Sequence, residues 1–93
     1  MKIVGIDVGK EETKYMSIDL RGGHNNDQPV VREVKGDFSE QAQFFTDLIE
    51  QQKPLKVVIN IRGFGMVLLD KLMGELEKKN IYLDKTGNVA YRD

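Results

Sequence analysis

From Lys2 to Val8 the chain alternates with a period of two, placing Val4, Ile6 and Val8 on one face and Ile3, Gly5 and Asp7 on the other. Alternation in a stretch rich in β-branched residues predicts a strand. Gly9-Lys10-Glu11-Glu12 reads as a turn, and from Lys14 to Leu20 the alternation resumes, with Tyr15, Ser17 and Asp19 opposed to Met16, Ile18 and Leu20. The two runs form a hairpin. A Gly-, Asn- and Asp-rich stretch from Gly22 to Pro29 carries turn chemistry, and Val30 to Val34 follows as a third strand, placed at the edge of an antiparallel meander.

The period then changes. Asp37 with Glu40 three residues on makes a capping-box pattern, and Phe38, Ala42, Phe45, Leu48 and Ile49 recur at helical spacing until Pro54 stops the helix. Lys56 to Ile61 is an unbroken β-branched run between Pro54 and Gly63, which predicts a central strand buried on both faces and parallel to the first. Beyond Arg62-Gly63-Phe64-Gly65, the residues Leu69, Leu72, Met73 and Leu76 mark a second amphipathic helix that ends near Asn80. Ile81-Tyr82-Leu83 and Val89-Ala90-Tyr91 flank Asp84-Lys85-Thr86-Gly87-Asn88, giving either a fifth strand with a tail or a terminal hairpin. The expected order is β-β-β-α-β-α-β, an α/β fold whose helices cross over between parallel strands.

Composition narrows the class. The 93 residues suit one domain spanning 1–93, with roughly 60 to 70% of the unfolded chain's surface available for burial. Without cysteine there is neither a disulfide framework nor a thiolate zinc site, and the single histidine, His24, lies in the polar 22–29 stretch. Lys and Arg number 14 against 15 Asp and Glu, so any nucleic-acid contact must be local. The apolar start is too short for a signal peptide and no segment has the length of a membrane span, so the expectation is a soluble, cytoplasmic protein with no membrane contact.

The stretch Lys2-Ile3-Val4-Gly5-Ile6-Asp7-Val8-Gly9, then a hairpin, a helix and Val57-Val58-Ile59-Asn60-Ile61-Arg62-Gly63-Phe64-Gly65, resembles the nuclease domain of phage terminase large subunits. The resemblance implies a ribonuclease H-like mixed sheet in which the first strand ends in a metal-binding acid, here Asp7. A second acid belongs on the fourth strand before two glycines and a helix. Gly63, Gly65 and Asp70-Lys71-Leu72 match those features, and Asn60 occupies the acid position. The family's third acid comes from a later helix, which has no counterpart within these residues. The opening alone is also similar to Holliday-junction resolvases, some transposases and the first phosphate loop of actin-like ATPases.

Two-metal nucleases need converging carboxylates, because hard oxygen ligands must offset the divalent charge while a water is activated. The candidate catalytic positions are Asp7, the degenerate Asn60 and Asp84, with Asp7 as the one metal ligand. No cofactor is required, though Mg or Mn at Asp7 fits the chemistry. Each has a plainer reading: Asp7 as a carboxylate capping the turn at Gly9 and Lys10, Asn60 as a core amide bridging two strand ends, and Asp84, like Asp19 and Asp70, as an exposed residue. Gly9, Lys10, Arg62, Gly63 and Gly65 are candidates for phosphate or nucleic-acid contact, with tight turns as the alternative. Lys14 adds to a basic rim tempered by Glu11 and Glu12.

These features lead to a non-catalytic or very weakly active ribonuclease H-like module, associated with DNA or with phage packaging proteins. Two alternatives stand beside it. One is a metal-dependent endonuclease completed by residues outside this chain, and the other is a protein-interaction module using the strand-3 edge or an uncovered apolar face.

Overall fold

The computed structural model of the protein describes residues 1–9, 11–19, 30–60 and 63–92. In chain order the elements are β1 (Lys2–Asp7), β2 (Glu12–Asp19), β3 (Arg32–Lys35), α1 (Phe38–Gln52), β4 (Lys56–Ile59), α2 (Gly65–Glu77), β5 (Ile81–Leu83) and β6 (Val89–Tyr91). The predicted turn from Gly22 to Pro29, Leu20, His24, Lys10, Ile61 and Arg62 lie outside the described residues.

A four-stranded mixed sheet has the order β3-β2-β1-β4. β1 is antiparallel to β2, with Gly5 opposite Met16, and parallel to β4, with Val4 beside Val57. β3 is antiparallel to β2 and lies at the edge, as its position in the meander predicts. Parallel pairing of β1 with β4 needs a crossover, and α1 supplies it.

α1 follows its sequence signals closely. Asp37 accepts from the Glu40 N–H at 2.8 Å, and the Glu40 side chain accepts in return from the Asp37 N–H, completing the capping box. The helix ends at Gln52, and Lys53 closes it in the left-handed region with its N–H donating to the Ile49 carbonyl, one residue ahead of Pro54. Both helices lie on one face of the sheet. The core between them joins Val4 and Ile6 of β1, Val34 of β3 and Val57 of β4 to Phe45, Ile49, Leu68, Leu72 and Leu76.

On β2 the layers are joined in an unexpected way. Its residues facing the helices are Thr13, Tyr15 and Ser17, while the more apolar Met16 and Ile18 face the side that no helix covers. Polar bonds make this arrangement stable. Thr13 Oγ1 donates to Gln41 Oε1 at 2.5 Å, Gln41 Nε2 donates to the Gly36 carbonyl at 2.9 Å, and both side chains are fully buried. At the other end of α1, Ser17 Oγ donates to Gln52 Oε1 at 2.7 Å. Between them Tyr15 meets Phe44 and Phe45 edge-on, with ring centroids 5.5 and 5.4 Å away.

Two expectations need correcting. β4 is neither central nor buried on both faces: it lies at the edge of the four-stranded sheet, and Val57 packs into the core while Val58 is 50% exposed and Lys56 is exposed, because the helix layer covers one side only. The second crossover does not deliver a parallel strand either. β5 pairs antiparallel with β6 as a terminal hairpin, the second of the two arrangements the sequence allowed. That hairpin attaches to the start of β4 through its loop, where the Val57 N–H donates to the Gly87 carbonyl at 2.8 Å and the Val89 N–H to the Leu55 carbonyl at 3.2 Å. Gly87 has φ +92°, and a Cβ there would press on the Val57 carbonyl oxygen at 2.6 Å, so only glycine allows this approach. Tyr91 completes the attachment by donating to the Pro54 carbonyl at 2.5 Å.

Replacing Gln41 with Leu strands the buried Thr13 hydroxyl and the Gly36 carbonyl, so chemical denaturation should show a loss of roughly 1–3 kcal/mol. Adding Thr13→Val should recover part of it, and a fully additive double mutant would show that the bond is not shared. For the hairpin, Tyr91→Phe should cost about 0.5–1.5 kcal/mol. Burial pushes the Tyr91 phenol up to about 12, so the neutral form is favoured by folding. Wild-type stability should therefore fall as pH rises from the ordinary tyrosine value of about 10 toward 12, and Tyr91→Phe should remove that part of the loss.

Candidate functional site

The parallel pair β1 and β4 ends in Asp7 and Asn60. Both side chains alternate to the uncovered face, since Ile6 and Ile59 point into the helix layer. The ladder extends one step further, with the Asn60 N–H donating to the Ile6 carbonyl at 3.0 Å. Across the other edge of β1, Lys14 stands opposite Asp7 and shares its face. Asp7, Asn60 and Lys14 thus share one face at the C-terminal end of the parallel pair, the position where open α/β sheets bind ligands.

Asp7 is exposed, and its hydrogen bond is with Asn60, whose Nδ2 lies 3.5 Å from Oδ1, at the long limit for such a bond. Among the described residues no backbone N–H donates to the carboxylate, and Lys10, one of the two donors that the turn-capping reading names, lies outside them. Gly9 has no room for a side chain, because a Cβ there would overlap the Glu12 carbonyl oxygen. Asn60 is a bridge between strand ends, as expected, but an exposed one and not a core amide.

The glycines expected to cradle phosphate have separate roles. Gly63 takes φ +61°, a left-handed conformation that glycine adopts at little cost. Gly65 is buried at the start of α2, and a Cβ there would collide with the Asn60 carbonyl oxygen, so this glycine sets how closely the helix approaches the end of β4. Phe64 caps α2 with helical backbone and no side-chain bond, and its ring lies 5.9 Å from that of Phe38, tying the first turns of the two helices together. Lys10 and Arg62 lie outside the described residues.

Asp84 is not part of this arrangement. It belongs to the hairpin loop docked at the start of β4, the opposite end of the strand from Asn60. Its Oδ1 accepts from the Thr86 N–H and hydroxyl and from the Asn88 N–H, and these bonds, that of the Thr86 hydroxyl foremost, hold its carboxyl below the usual aspartate range. Asp19 lies at the far end of β2, opposite Lys2, and pairs with the terminal ammonium at 3.5 Å. Asp70 is exposed along α2.

An open depression of about 670 Å³ adjoins Asp7, lined by Val8, Gly9, Glu11, Glu12, Lys14 and Lys35. Lys35 is the lining residue that sequence reasoning missed. The signal was the register of β3, which sets Lys35 opposite Glu12 and Glu33 opposite Lys14 on the same face as Asp7. Charges of both signs share the depression, so it has no strong anionic or cationic character.

The donor set does not fit a two-metal centre. Asp7 offers a carboxylate and Asn60 an uncharged amide, and among the described residues no three His, Cys, Asp or Glu side chains converge to hold a metal ion. Among the same residues, no helix is long and apolar enough to cross a membrane. In comparisons with known proteins the chain matches no family model, and neither a curated protein nor a solved structure shows significant similarity to it.

Because folding depresses the Asp84 carboxyl, its bonds stabilise the hairpin above the ordinary aspartate value of about 3.9, and that stabilisation is lost as pH falls through the lower folded value. Asp84→Asn should melt at a lower temperature than wild type at pH 7, with the two curves converging below pH 4 or so. A gap that persists unchanged into strong acid would assign the effect to shape and not to charge.

Proposed function

We infer that the protein is a non-catalytic, ribonuclease H-like module related in design to the terminase nuclease domain, and that it works in association with nucleic acid. One observation carries this reading: the two strand ends that would bring acids together in such a nuclease bring together Asp7 and the amide of Asn60. The supporting topology is an antiparallel meander whose first strand pairs in parallel with the strand after α1. An amide contributes an oxygen but no charge, so a divalent ion beside Asp7 gains half the carboxylate neutralisation that a pair of acids would supply. A single weakly bound ion orients a phosphate poorly and cannot stabilise the attacking and leaving oxygens together. The mixed charges around the depression act in the same direction, since Lys14 beside Asp7 repels a cation.

The decisive experiment incubates the protein with single- and double-stranded DNA and RNA in Mg²⁺ or Mn²⁺, and measures Mn²⁺ binding by calorimetry. Wild type should leave the substrates intact and bind Mn²⁺ weakly, and Asn60→Asp should tighten that binding by supplying the second carboxylate. Cleavage by wild type that disappears in Asp7→Ala would refute the non-catalytic reading.

A further inference from the structure

At the end of the sheet remote from Asp7, the molecule carries cations that the proposed function does not use. Three backbone bonds lace the start of β4 to its neighbours: the Leu55 N–H donates to the Lys2 carbonyl at 3.0 Å, the Val57 N–H to the Gly87 carbonyl and the Val89 N–H to the Leu55 carbonyl. They gather Lys53 at the end of α1, Lys56 on β4 and Lys85 in the hairpin loop along one border of the molecule. Lys56 and Asn88 form an antiparallel bridge, so the outward face of β4 continues onto β6. By alternation Ala90 and Arg92 share that face, while Val89 and Tyr91 pack toward the core. Tyr82, opposite Ala90, is exposed there as well, and the Arg92 guanidinium carbon sits 4.9 Å from its ring centroid.

Among the described residues, Lys53, Lys56, Lys85 and Arg92 take part in no ion pair. Asp84 keeps its negative charge in the same loop, with its Oδ1 taken up by the bonds from Thr86 and Asn88. Cations carried on adjoining segments suit successive phosphates of one extended chain. Beside them the Tyr82–Arg92 pair offers an aromatic and a guanidinium plane of the kind on which unpaired bases stack.

We propose that this face binds single-stranded nucleic acid, the lysines contacting the phosphate backbone and a base stacking on Tyr82 and Arg92. The proposal rests on the nucleic-acid association inferred above and places the contact at the end of the sheet opposite Asp7. A flat face suits a pliable single strand better than a duplex, whose groove admits a protruding helix or ribbon.

Fluorescence anisotropy with labelled single-stranded DNA and RNA, over a range of salt concentrations, tests it. Wild type should bind, with log affinity falling linearly in log salt. The triple variant Lys53→Gln, Lys56→Gln, Lys85→Gln should make that slope shallower by about 2, at about 0.7 for each phosphate that is no longer neutralised. Tyr82→Ala should weaken binding by about fivefold to 100-fold while Tyr82→Phe keeps most of it. All three variants should retain the wild-type circular dichroism spectrum, since the altered side chains are exposed. Undiminished binding by the triple variant and Tyr82→Ala, or loss seen only with Lys14→Gln and Lys35→Gln, overturns the assignment and leaves the nucleic-acid association standing. Wild-type protein that binds no oligonucleotide at low salt overturns both, whether or not it adheres to vesicles containing phosphatidylserine.

Discussion

β1 is hydrogen-bonded along both edges, antiparallel to β2 and parallel to β4, and every other element takes its place from that double pairing. The antiparallel partner needs only a tight turn, but the parallel one requires the chain to travel the length of the sheet and return. α1 makes that return, and its apolar stripe then buries Val4 and Ile6. Because β2 shows α1 a polar face, the helix is held there by Thr13 and Ser17 through Gln41 and Gln52, with an aromatic cluster between. Hydrogen bonds of this buried kind fix position more sharply than apolar contact, since a shifted helix would leave donors and acceptors unmet.

The same double pairing builds the candidate site. Parallel strands that start together also end together, so Asp7 and Asn60 arrive side by side without any loop having to place them. Gly65 adds a steric condition, because α2 begins against the Asn60 carbonyl and a side chain there would push the helix away. The site is thus spare in its chemistry: a carboxylate and an amide in contact, with a lysine on the same face of the sheet.

Legibility in the sequence depended on whether a feature is local. α1 was readable from Asp37 to Pro54 because capping and helical periodicity operate within a few residues. The meander and the parallel pairing followed from strand order. The burial of β4 was misread, because a run such as Val57-Val58-Ile59 looks the same whether one face or two are covered, and which applies depends on layers contributed by other segments. The terminal hairpin could be posed but not decided from Ile81 to Tyr91 alone, since its docking relies on the remote carbonyls of Leu55 and Pro54. At the site, Asp7 and Asn60 were found from their strand-end positions, whereas Lys35 entered only through the β3 register.

The separation between β1 and its parallel partner also bears on how the chain is made. During synthesis the meander strands emerge first, and the second edge of β1 stays unpaired until Ile59 follows. At about 5–20 residues per second, the interval between Ile6 and Ile59 is on the order of 3–10 s. For that time an apolar strand, Ile3 to Ile6, presents open N–H and C=O groups to its surroundings, the condition under which nascent chains pair with one another. Lys2 and Asp7, the charged residues at the two ends of that strand, are then the nearest guard against such pairing.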